Sequence, residues 1–196
     1  MMVRVPKGTG PALDASAVAE KPKASVETKV KAAASTKPVS AEIVLQDFQV
    51  DDKGVFSPWK DDKGSFLEYK LEPTKPRGKE GEKMITIKYE QKAGGWCGLF
   101  GRAGEDWNGL NNGKPKYLNV RVFSEKPVSF LVTLEDEVKN AIKVELPMTE
   151  ESVKWQTLKV QVYPSDQFRG TVKGFNLYMT SGGAGVFSID KIWLTN

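Results

Sequence analysis

From Ala41 to the end of the chain, short runs of alternating apolar and polar residues follow one another, separated by turn-forming clusters. In Tyr117–Phe123, Leu118, Val120 and Val122 alternate with Asn119, Arg121 and Phe123. That period of two belongs to a strand with one buried face. Comparable runs, alternating or rich in β-branched and aromatic residues, occupy Glu42–Phe48, Ser65–Leu71, Met84–Glu90, Val128–Glu135, Ile142–Leu146, Trp155–Tyr163, Phe175–Thr180 and Val186–Leu194. Between them lie DDKG at 51–54 and 61–64, PRGKEGEK at 76–83, NNGKP at 111–115 and SGGAG at 181–185. No long helical period competes. About nine strands at this spacing predict an all-β, antiparallel two-sheet sandwich over residues 41–196.

Residues 1–40 differ in kind. They contain no aromatic residue and repeat Ala, Lys, Pro, Ser, Thr and Val. Such a segment buries too little apolar surface to offset its ordering entropy, so a disordered N-terminal tail acting as a tether is expected. Its seven Lys/Arg against three acids account for the whole net charge of +4, which leaves 22 of each sign in residues 41–196. A formally neutral domain weakens a nucleic-acid reading, which needs a basic face on the domain itself. No apolar run approaches the roughly 18 residues of a membrane span, and the N-terminus lacks the apolar core of a secretory signal.

The absence of histidine excludes Ser-His-Asp and Cys-His nucleophile systems and His-ligated zinc. The single cysteine, Cys97, has no internal disulfide partner and reads as a small packed side chain. It lies in Gly94–Leu110, GGWCGLFGRAGEDWNGL, read as a loop rich in glycine and carrying Trp96 and Trp107. A loop of that composition either packs on the core or presents aromatic surface to a ligand.

Alternation also assigns an outward set: Arg121, Glu135, Lys143, Glu145, Lys159, Gln161, Tyr163, Asn176 and Tyr178. Charged, amide and aromatic groups together suit a sugar, which accepts planar hydrogen bonds at its hydroxyls and aromatic faces against its C–H side. A solvated sheet face uses similar residues, although Tyr163 and Tyr178 are less expected there.

The order of six motifs adds to this reading: IVLQDFQ, MITIKYEQKAGGWCGLFG, EDWNGL, FLVTLEDE, WQTLKVQV and GVFSIDKIWL. Together they resemble the galactose-binding-like jelly-roll sandwiches, in particular family 11-like carbohydrate-binding modules and complex I intermediate-associated protein 30 domains. The resemblance covers about residues 42–196. It implies a structural calcium near Asp47 and Asp190, which match the acids at the two ends of the sandwich. The match is imperfect. Lys191 stands where a second acid is usual, and Gln49 where an acid is common. An ammonium paired with Asp47 or Asp190 would replace the cation. The resemblance gives Trp107 and Trp155 structural roles and leaves Trp96 between packing, which is favoured, and a binding platform.

The leading expectation is a non-catalytic module that binds a polysaccharide or other glycan on its concave sheet. Tyr163, Tyr178 and Trp96 would stack, and Arg121, Glu135, Lys159, Gln161 and Asn176 would bond hydroxyls. An extracellular, cell-surface or periplasmic location follows from such a ligand, and the tether would lead to a protein partner or surface. The alternative is a structural or assembly protein, for which an apolar patch including Leu131 and Phe123 is expected. An enzyme would need a carboxylate pair. Glu135, Asp136 and Glu137 are adjacent and so alternate faces, which is the wrong arrangement.

Overall fold

The computed structural model describes residues 42–74, 82–106, 115–163, 171–180 and 182–196. The tether and Trp107 lie outside them. The described elements are all strands: β1 (Glu42–Gln46), β2 (Phe56–Lys60), β3 (Phe66–Pro73), β4 (Lys83–Gln91), β5 (Cys97–Asp106), β6 (Tyr117–Phe123), β7 (Phe130–Glu135), β8 (Ala141–Glu145), β9 (Gln156–Gln161), β10 (Thr171–Met179) and β11 (Gly183–Thr195). The nine predicted runs all correspond to strands, and two further strands appear, β2 and β5.

Every pairing is antiparallel, in two sheets. The first has the order β3-β4-β11-β6-β9, with β1 also on β11. The second has the order β2-β5-β10-β7-β8. β11 is the spine of the first sheet. One of its edges carries β6, and the other carries β4 along residues 183–189 and then β1 along 192–195.

The facing sides of the sheets hold the core. Ile85, Ile87, Leu118, Val120, Val122, Ile189, Ile192 and Leu194 come from the first sheet. Leu99, Phe130, Val132, Leu134, Phe175 and Leu177 come from the second, and all are essentially inaccessible. Each such side chain contributes about 1.5–3 kcal/mol by burial. Phe130 stacks on Phe187 with centroids 5.0 Å apart, and so joins the layers. Leu118, Val120 and Val122, the apolar side predicted for β6, are wholly buried, and Asn119 on the opposite side is buried as well.

A bulge interrupts β11. Its register against β6 shifts between Ile189 and Lys191, so Ile189 and Ile192 stay in the core while Asp190 and Lys191 both leave it. One extra residue in a strand re-aims its neighbours in this way.

Candidate functional site

The outer face of the second sheet carries an aromatic cluster, and the register explains it. Trp59 of β2 is opposite Gly98 of β5, Gly98 is opposite Tyr178 of β10, and Tyr178 is opposite Leu131 of β7. One step along, Phe100, Asn176 and Thr133 form the next row. A Cβ on Gly98 would stand 2.2 Å from the Trp59 ring, and one on Gly174 would stand 2.6 Å from the Phe100 ring. Both glycines leave the space that the neighbouring aromatic ring occupies.

Trp59 is the hub. Its ring centroid is 4.5 Å from that of Tyr178 and 5.2 Å from that of Trp96, with interplanar angles of 60° and 50°. Its indole Nε1 donates to Asn176 Oδ1 at 3.2 Å, and Asn176 Nδ2 donates to Glu135 Oε1 at 2.5 Å. The chain of bonds fixes the amide orientation and holds the carboxylate at the end of the aromatic row. Trp59, Trp96, Phe100, Glu135, Asn176 and Tyr178 line an open cleft of about 580 Å³.

Trp96 is half-exposed, at 51 %, and packs on Trp59 at the rim of the cleft. Its backbone is nonetheless fixed. Asp61 N donates to Trp96 O at 3.0 Å, and Trp96 N donates back to the Asp61 carboxylate. That carboxylate also accepts Lys63 N at 2.9 Å, Ser65 Oγ at 3.1 Å and Ser65 N at 3.4 Å. Burial pushes the Asp61 carboxyl up, but these donors outweigh it and hold its pKa below the ordinary value. An exposed indole on an immobile backbone loses little entropy when a ligand lands on it.

The expected binding residues divide between two faces. Trp96, Glu135, Asn176 and Tyr178 share the cleft. Arg121 and Lys159 point outward from the first sheet, on β6 and β9; Gln161 ends β9, and Tyr163 follows it, 75 % exposed. Alternation tells which side of a strand faces the core but not to which sheet the strand belongs, so one predicted face is in fact two. On the first sheet, Lys159 Nζ sits 4.0 Å from the Tyr117 ring centroid, and Arg121 lies 5.1 Å over Trp155, which also packs on Phe123. Leu131 and Phe123, expected in one apolar patch, are on different sheets, and Leu131 is only 7 % exposed.

Asp47 and Asp190 line a separate cavity of about 260 Å³, together with Gln49, Glu82, Lys83, Arg121 and Lys191. Arg121 Nη1 lies 2.9 Å from Asp190 Oδ2. Lys191 pairs with Glu42 at 2.7 Å rather than with Asp47 or Asp190. Burial raises the Asp190 carboxyl to about 6; Glu82 adds to the rise, and Arg121 and Lys191 oppose it. Calcium takes six to eight oxygens. Among the described residues no three acidic or thiol groups converge as ligands, and three cationic side chains line this cavity. The donor set does not fit calcium.

No family model matches the chain, and no curated protein does. Solved structures do. A family 11 carbohydrate-binding module from Clostridium thermocellum, in complex with a β-1,3-1,4-mixed-linked tetrasaccharide, is 13 % identical over 79 % of this chain and 95 % of its own, with a TM-score of 0.55. The family 11 module of the cellulosomal cellulase Lic26A-Cel5E of Clostridium thermocellum is 15 % identical over 79 % of this chain and 94 % of its own, at 0.53. The solution structure of CtCBM11 is 14 % identical over 80 % and 95 %, at 0.57. The chain therefore has the two-sheet β-sandwich fold seen in these family 11 carbohydrate-binding modules.

Proposed function

We propose that the outer face of the second sheet binds a neutral polysaccharide without cleaving it. The observation that carries this reading is the row Trp96–Trp59–Tyr178 beside the Asn176–Glu135 pair, all on one open cleft. Rings lying along a sheet offer faces to the C–H side of successive sugars. A carboxylate whose position is fixed by an amide accepts hydroxyl protons without further ordering. The fold shared with modules that hold oligosaccharides supports the same conclusion.

A binding role rather than hydrolysis follows from how the neighbouring acids are used. Glycoside cleavage needs two carboxylates facing one substrate. Asp136 is buried and accepts Val138 N and Asn140 N in the β7–β8 turn, and Glu137 pairs with Lys173. Only Glu135 of the three lines the cleft. A polysaccharide ligand would place the domain outside the cell or in the periplasm, with residues 1–40 linking it to a partner or surface.

Titration calorimetry and affinity electrophoresis with mixed-linked β-glucan, xylan and mannan test the reading. Trp59→Ala and Tyr178→Ala should each weaken binding at least about tenfold, or 1.4 kcal/mol. Tyr163→Ala should leave it unchanged. The proposal fails if the intact chain is retarded by no neutral glycan, or if both cleft variants bind like the parent.

A further inference from the structure

The cavity at Asp190 carries an inference independent of the cleft. Its carboxylates, Asp47, Glu82 and Asp190, are matched one for one by Lys83, Arg121 and Lys191. The cations are held there by the fold. The β11 bulge sets Lys191 directly opposite Arg121, the Trp155 ring supports the guanidinium, and Lys191 is secured by Glu42 and lies 4.9 Å from the centre of the Trp193 ring. We infer that Arg121 is the resident cation of this cavity: its guanidinium stands where the resemblance places calcium, and the sandwich closes there without a divalent metal.

The replacement is incomplete, which makes it testable. The guanidinium serves Asp190 Oδ2, whereas Oδ1 is buried with no hydrogen-bond partner. A divalent ion entering beside Arg121 would meet a fixed positive charge within contact distance of the same carboxylate. With Arg121 removed, the buried Asp190 carboxylate would lose its ion-pair partner, and a divalent ion would still lack converging ligands in a cavity that Lys83 and Lys191 line.

Thermal unfolding of the full chain, in excess calcium and in excess EDTA, tests this. The parent should show the same Tm in both. Arg121→Gln should lose several degrees in both, whereas Arg121→Lys, which keeps a charge, should lose less. Terbium luminescence sensitised by Trp155 and Trp193 supplies a second readout. The parent should give no saturable, calcium-displaceable signal, and this arm holds even if Arg121→Gln fails to fold. A calcium-dependent Tm or such a terbium signal in the parent would overturn the inference. So would a folded Arg121→Gln as stable as the parent.

Discussion

Asp190 should make this protein more stable on mild acidification, against the usual trend. Its carboxyl rises from 3.8 to about 6 on folding, because burial and Glu82 disfavour the charge more than Arg121, Lys191 and its backbone bond favour it. Asp47 and Gln49, just past the end of β1, and Lys83, at the start of β4, complete the surroundings. A carboxyl raised by folding contributes stability at low pH and loses it as pH climbs through the folded value. Taking 3.8 and 6, linkage gives about 1.4 kcal/mol gained between about pH 7.5 and pH 5. For a domain of this size that is about 3–6 °C in Tm. The window is unusually clean because the chain has no histidine. The other resolved shifts act elsewhere: Asp61 below its ordinary value of 3.8, Tyr69 and Cys97 above 10.0 and 9.0. Scanning calorimetry of the parent and Asp190→Asn across that range decides the matter. The parent should gain Tm as pH falls, and the variant should be flat. A parent that loses Tm on acidification, or a variant that rises in parallel with it, would refute the argument.

Gly98→Ala would drive a methyl to 2.2 Å from the Trp59 ring and 2.4 Å from Leu177 O. It should cost about 1–3 kcal/mol in urea denaturation, whereas Gly182→Ala, with open space around it, should be neutral. Asp61→Ala should release Trp96, seen as faster iodide quenching of tryptophan fluorescence and weaker glycan binding. The anchor itself should survive down to the ordinary carboxyl value of 3.8 and weaken below it, since its folded pKa is lowered. Cys97, wholly buried and with its thiol raised by burial and then by Asp61, should resist alkylation in the native chain and react once urea unfolds it.

The sandwich was legible because each core strand keeps one side for apolar residues. Leu118, Val120 and Val122 of β6 and Phe175, Leu177 and Met179 of β10 announce their faces by spacing alone. β2 escaped notice because FSPWK contains a proline, which a strand tolerates at a sheet edge, and β2 is the edge strand. In sequence β5 reads as a loop because its glycines mimic turn chemistry, whereas Gly98 and Gly101 are glycine to admit the rings of Trp59 and Phe175. Missing both strands hid Trp59 and Phe100, the centre of the cleft. Pairing across sheets is long-range information, so no local pattern separates Arg121 and Lys159 from Glu135 and Asn176. The signal that would have found the cleft is the coincidence of small residues and aromatics, Trp59 with Gly98 and Phe100 with Gly174.

The position of β11 bears on how the molecule is made. Without it the first sheet falls into the pair β3–β4, the pair β6–β9 and a lone β1, since β11 alone connects the three. The strand that unites them follows all the others in the chain. Among the described strands, the ribosome therefore delivers β1, β3, β4, β6 and β9 in three unconnected pieces before the strand that joins them, and productive closure is a late, non-local event. During that interval the hydrophobic inner faces and open edges are exposed to neighbouring chains. Synthesis paused or cut short before Val186 should yield aggregate rather than a weakened binder, because the cleft on the second sheet rests on a core that β11 completes.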